Sequence, residues 1–229
     1  MKTCFRLATA LSFLIFCGSA FGYDKPSPNT PGKYTNWGGQ IEKLEIVAPF
    51  NLADYQRIVV EPFDTSQAPL PKEGAKTYPP VKAVLGHVTA PFLAGLSGPL
   101  AKVPASLGEP GQNPGPGTLV VRGQVLRMDP GAHAPRYSPD GAGSARVLIA
   151  GEVVDGGTGK TLLHFRQERR SGSSRDMVVS SGGRAGAANV GFHPVSRRAP
   201  LDVVGDYEKT MSFEVQQIGG DLADVLQSF

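Results

Sequence analysis

TLVVRGQVLRMDP (118–130), SARVLIAGEVVD (144–155) and KTLLHFRQERR (160–170), with GGTG (156–159) between the last two, decide the fold of this 229-residue chain. Each run alternates apolar with polar residues, and Gly, Pro and Asp punctuate them. Period-two alternation with such punctuation predicts strands of an antiparallel β-meander. Side chains on a strand point to opposite faces in turn. Leu119, Val121, Val125, Val147, Ile149, Val153, Leu163 and Phe165 therefore share one face, the expected floor of the core. The even positions Arg122, Gln124, Glu152, His164 and Arg166 fall on the other face and form a candidate sheet-face patch. The plain alternative for that patch is a solvated ladder of cross-strand ion pairs, each worth under about 1 kcal/mol.

Outward from this stretch, Val81, Val84, Leu85, Val88, Phe92, Leu93 and Leu96 recur at helical spacing and predict a helix. Pro91 lacks an amide hydrogen, so a kink or break is expected there. Residues 201–229 repeat the pattern through Met211, Val215, Ile218, Leu222 and Val225, with Pro200 and Asp202 as start signals. Gly219-Gly220 within it predicts a bend or close packing. Gly123 and Gly151, in the core-facing register, would let this C-terminal helix approach the sheet. Ile41–Phe50 and Tyr55–Phe63 are strand candidates, and residues 65–80 read as a loop. Residues 23–38, with three prolines and little apolar content, read as an extended linker.

At the N-terminus, Lys2 and Arg6 precede an apolar run from Leu7 to Cys17 and the small-residue segment Gly18 to Gly22. This is the plan of a secretory signal peptide over residues 1–22, and the run is too short to span a bilayer. Ala20 and Gly22 place the cut before Tyr23, with a cut after Ala20 as the alternative. A lipoprotein site at Cys17 is disfavoured because Phe16 is bulky where processing requires a small residue. Both cysteines, Cys4 and Cys17, leave with the signal, which removes disulfides, thiol nucleophiles and Cys-ligated metals from the mature chain. Without Lys2 and Arg6, 21 basic residues face 20 acidic ones, a net charge of +1. The basic composition is thus no argument for nucleic-acid binding. The mature chain carries no transmembrane candidate, and residues 39–229 suit one domain.

Catalytic signatures do not assemble. Gly156-Gly157-Thr158-Gly159-Lys160-Thr161 resembles a P-loop, but its first glycine would fall at position 154, which is Val154. The following residues are strand-patterned, whereas a P-loop lysine opens a helix, so a hairpin turn is expected and nucleotide binding is not. Ser97 is one residue off nucleophile-elbow spacing. His87, His133, His164 and His193 are isolated from one another, so no metal site is expected. Charge is asymmetric: Arg166, Arg169, Arg170, Arg175, Arg184, Arg197 and Arg198 oppose only Glu168 and Asp176 within residues 166–200, a net of +5. Arg169, Arg170, Arg175, Arg184, Arg197 and Arg198 are therefore candidate anion- or partner-binding residues, against the alternative of a soluble loop.

Arg136-Tyr137, Gly141-Ala142-Gly143, Val153-Val154-Asp155, the Thr158-Gly159 turn and Leu162 onward resemble an exported bacterial family catalogued as domain of unknown function 4410. The resemblance covers roughly Tyr55 to the C-terminus and is clearest over residues 119–170. Its motifs are turn glycines and a strand-closing Asp, so it implies a fold and carries no catalytic residue. The expectation is an α+β domain: a mostly antiparallel sheet, the meander plus N-terminal strands, with two helices packed on one face. Function is expected to be non-catalytic, an extracytoplasmic (periplasmic) envelope-associated binding or assembly role without cofactor. Its partner would be an envelope protein or anionic envelope surface, not nucleic acid. The alternative is a periplasmic hydrolase acting on an envelope polymer.

Overall fold

The structure is a computed structural model that describes residues 29–37, 41–112, 114–131, 145–171 and 206–229. In chain order it contains β1 (Gly32–Trp37), β2 (Ile41–Ile46) and β3 (Arg57–Val60), then α1 (Tyr78–His87) and α2 (Thr89–Ser97). There follow β4 (Ala105–Leu107), β5 (Thr118–Asp129), β6 (Arg146–Asp155), β7 (Thr161–Arg170) and α3 (Tyr207–Leu226). The signal-peptide reading of residues 1–22 lies outside the described residues.

The antiparallel meander is β5–β6–β7. Leu119, Val121, Val125, Val147, Ile149, Val153 and Leu163 are fully buried, and Phe165 nearly so. A β-bulge between Val125 and Arg127 then shifts the parity, so Met128 returns to the core and Arg127 turns outward.

Seven strands form one sheet in the order β1-β2-β7-β6-β5-β3-β4. It is mixed, which corrects the expected mostly antiparallel sheet: β3 runs parallel to both β5 and β4. The chain leaves β3, passes through α1 and α2, and returns beside it as β4. A strand that returns through a helical crossover arrives parallel to its neighbour. Among the described residues three helices bury residues in the shared core, the expected first helix being divided in two. Part of the presumed linker is also structured, since residues 32–37 pair with β2 as an edge strand. Its apolar content is low because only Tyr34 and Trp37 turn inward. Asn36 adopts φ 53°, a left-handed conformation that asparagine tolerates, and this breaks the alternation and swings Trp37 into the core.

The expected helix break occurs at Val88. Pro91 offers no N–H to the His87 carbonyl, and the next bond, from Phe92 N to Val88 O, is stretched to 3.5 Å. At the described start of α3, Asp206 caps the helix by accepting from the Lys209 N–H at 3.1 Å, later than Pro200 and Asp202 suggest. Met211, Val215, Ile218, Leu222 and Val225 are fully buried as the periodicity requires.

Close approach occurs between helices rather than between helix and sheet. A Cβ on Gly95 would strike the Gln216 carbonyl of α3, and one on Gly219 would strike the Phe92 carbonyl of α2. Gly123 and Gly151 instead make room for aromatic rings, Phe63 and Phe165 respectively. Those rings flank Phe92, with centroids 4.7 Å and 6.4 Å away. At the far end of α3, Phe229 stacks between Trp37 and Phe50. No helix among the described residues is long and apolar enough to cross a membrane.

Candidate functional site

Strand register maps the outer face of the sheet, opposite the core, row by row. One row crosses the sheet as Lys33 (β1), Glu45 (β2), His164 (β7), Glu152 (β6) and Arg122 (β5). Glu61, just past β3, extends it: its N–H donates to the Val121 carbonyl, and its Oε1 lies 3.2 Å from Arg122 Nε. Contacts run along the row, with Lys33 to Glu45 at 3.6 Å, His164 Nδ1 to Glu152 at 3.9 Å and Arg122 to Glu152 at 3.9 Å. Thr161 Oγ1 also donates to Glu152 Oε2 at 3.0 Å. Arg122, Glu152 and His164, three of the predicted patch residues, thus come together in a ladder. Lys33, Glu45 and Glu61 join them unforeseen.

Glu61 differs from the rest because it is only 8% exposed. Its Oε1 makes the ion-pair contact but no hydrogen bond. Arg122 is therefore the charge that compensates a buried carboxylate, a structural duty on top of its surface position.

The adjacent row holds the other two patch residues. It runs Thr35, Lys43, Arg166, Ala150 and Gln124, with Asp64 bridged to Gln124 at its end. Lys43 and Arg166 stand directly opposite each other and both are exposed. Beyond them lie Glu168–Leu148–Arg127 and then Arg170–Arg146–Asp129. Buried Val120 and Val154 bound the polar rows at one end of β5 and β6, and buried Leu148 at the other.

Two of the candidate anion-binding arginines have other partners. Arg169 is odd-numbered like Leu163 and Phe165, so it points to the helix layer. There its Nε lies 3.6 Å from Glu214 and its Nη1 3.5 Å from Asp221. Gln167, 1% exposed, accepts from the Glu42 N–H at 2.7 Å and donates to Asp221 at 3.1 Å, completing a lock between β2, β7 and α3. Arg169 is thus engaged within the fold. Arg170 pairs with Glu168 at 3.0 Å. Arg175, Arg184, Arg197 and Arg198 lie outside the described residues, as do His133, His193 and residues 136–143.

The Gly-rich motif is a hairpin turn. Asp155 Oδ1 accepts from the N–H groups of Gly157 (2.9 Å) and Thr158 (2.7 Å) and from Thr158 Oγ1 (2.9 Å). Its Oδ2 accepts from Tyr55 O–H at 2.8 Å. Burial pushes the Asp155 carboxyl up, but the hydrogen bonds from Thr158, Tyr55 and Gly157 outweigh it and hold the pKa below the usual range. Burial, reinforced by the bond to Asp155, pushes the Tyr55 phenol well above its ordinary value. Gly159 supplies φ +71°, and Lys160 points to solvent. Ser97 Oγ donates to the Leu93 carbonyl one turn back in α2, the posture of a helical serine. Among the described residues no group of three or more His, Cys, Asp or Glu could hold a metal.

Fold and face together define an α+β domain whose mixed sheet carries polar side chains on its outer face. No family model matches the chain, and no curated protein does. Among solved structures it is similar to the PelC dodecamer from Paraburkholderia phytofirmans, at 10% identity and TM-score 0.38, covering 79% of this chain and 96% of that one. It is also similar to protein XCC0632 from Xanthomonas campestris, of the family DUF330, at 8% identity and TM-score 0.33, covering 74% and 82%. Likenesses at this level carry no inference about function.

Proposed function

We propose that this chain is an exported, non-catalytic binding or assembly protein of the bacterial cell envelope, related to the domain of unknown function 4410. The observation that carries the reading is the outer sheet face. Polar side chains there form an unbroken row across five strands, Lys33, Glu45, His164, Glu152 and Arg122, and an extended polar face suits a macromolecular partner. The three-part N-terminal plan supports an extracytoplasmic location. The ladder of the first row is worth little as stabilisation, since each exposed pair contributes under about 1 kcal/mol.

Co-sedimentation tests the binding reading. The purified chain should pellet with envelope fragments at low salt, and the double variant Gln124→Glu, Arg166→Glu should pellet less. A wild type that stays in the supernatant, or a variant that pellets equally, refutes it. Export is tested by intact mass after native expression: a mature chain starting at Tyr23 or Phe21 without lipid is expected, and a diacylated Cys17 refutes it.

A further inference from the structure

The row through Lys43 and Arg166 has a feature the ladder lacks. Opposed residues of an antiparallel pair have Cβ atoms about 5 Å apart, and like charges so placed destabilise the sheet. Lys43 and Arg166 are such a pair, and neither has an ion-pair partner among the described residues. The nearest acid in their own row is Asp64, at the far end beyond Gln124. Next to Arg166 in the row is Ala150, whose methyl group leaves a hollow between Arg166 on β7 and Gln124 on β5, roughly 10 Å apart across two strand spacings. The Gln124 side chain is exposed and has no hydrogen-bond partner among the described residues. One row away, about 7 Å along the strands, stand Glu45, His164 and Glu152.

We infer that this hollow, lined by Lys43, Arg166, Ala150, Gln124, Glu152 and His164, binds a sugar chain that carries acidic groups. The inference rests on the binding reading above and names its partner. Two opposed cations fit one oxyanion, since a guanidinium donates a planar pair of N–H groups and an ammonium beside it adds charge. The carboxylates of Glu45 and Glu152 fit hydroxyl donors, and the Gln124 amide both donates and accepts. A partner that joins an anionic group to hydroxyl donors within a few ångströms therefore satisfies both rows, as an acidic sugar does. A continuous anionic plane such as a lipid surface satisfies the cations but lays further negative charge over Glu45 and Glu152, whose contacts with Lys33 and Arg122 at 3.6 and 3.9 Å offset it only in part. Charge complementarity thus favours the glycan over the membrane.

The test is calorimetric titration of the full chain with trigalacturonate, with neutral maltotriose and phosphatidylglycerol vesicles as separate arms. Trigalacturonate should bind, maltotriose should not, and vesicles should bind more weakly than the acidic sugar. The double variant Lys43→Gln, Arg166→Gln should lose at least about tenfold in affinity. Its urea midpoint should not fall and should rise slightly, because it removes a repulsion and no ion pair. Ala150→Leu, which fills the hollow and keeps every charge, should lose binding as well. No binding of trigalacturonate, undiminished binding by both variants, or tighter binding to vesicles overturns the inference. Retained pelleting with envelope fragments in any of those cases would leave the broader binding reading standing, whereas loss of pelleting alone would not touch the glycan result.

Discussion

Gly219→Ala is expected to destabilise the protein even though alanine is the better helix former. Glycine to alanine inside a helix gains about 1 kcal/mol in propensity. Against that gain, the new Cβ would press on the Phe92 carbonyl oxygen and come within 3.0 Å of both the Phe92 carbonyl carbon and the Leu96 nitrogen. All three are backbone atoms of α2, which cannot rotate aside as a side-chain tip could. Overpacking costs about 1–3 kcal/mol, and a rigid neighbour places this case at the upper end. The net effect is a loss of about 2 kcal/mol, which lowers a urea midpoint by about 1 M at a typical slope. Gly86→Ala supplies the contrast, because a Cβ there meets nothing within 4 Å. The same substitution near the end of α1 should raise stability by about 0.5 kcal/mol. Equilibrium urea unfolding of the full chain, followed by circular dichroism, reads both. A Gly219→Ala protein as stable as wild type would show that α2 and α3 do not meet backbone to backbone, and the packing argument would fail.

Arg169→Ser should cost about 1–3 kcal/mol, less than a fully buried pair because the arginine is partly exposed, since it strips the countercharge from Glu214; an unchanged urea midpoint would contradict this. A binding test that removes Arg169 therefore measures folding instead. Asp155→Ala should cost about 2 kcal/mol at pH 7 through the lost charge-assisted hydrogen bonds. The folded-state pKa of Asp155 is depressed, so its contribution is present above the unfolded value of 3.8 and is lost as pH falls through the folded pKa. The gap between wild type and variant should accordingly narrow below about pH 4, and a constant gap would refute the assignment. Lys160→Ala should leave stability within about 0.5 kcal/mol and magnesium-ATP binding at background. Micromolar ATP binding that the variant abolishes would overturn the hairpin reading.

What could be read from the sequence was local. Alternation in residues 118–170 sorts Leu119 through Phe165 onto one face without knowing any partner strand, and the helical stripe from Val81 to Leu96 carries its own break at Pro91. What could not be read was pairing between distant segments. Nothing in RIVV at 57–60 says that it lies parallel to residues 118–121, so neither the mixed sheet nor the meeting of Glu61 with Arg122 was visible. Strand β1 was hidden for a related reason: an edge strand with two inward residues has the composition of a linker. Arg169 is a different case. Parity alone places it beside Leu163 and Phe165, but the number of arginines around it drew the reading toward a solvent-facing anion site. Gly123 and Gly151 were placed on the right face yet assigned the wrong neighbour, because periodicity says which way a position faces and not what fills the space above it.

The pairing of β2 with β7 has a consequence for how the chain acquires its structure. Lys43 meets Arg166, 123 positions downstream. At synthesis rates of about 5–20 residues per second, the first hairpin waits roughly 6 to 25 s for the strand that anchors it. Two strands alone are at best marginally stable in water. The ring of Phe229, which packs on Trp37 in that hairpin, arrives later still. The N-terminal end of the sheet thus closes late, and such long-range pairing slows folding in general. For a polypeptide that must cross a membrane before it folds, as proposed, that delay keeps the nascent chain in a form a translocation channel can accept.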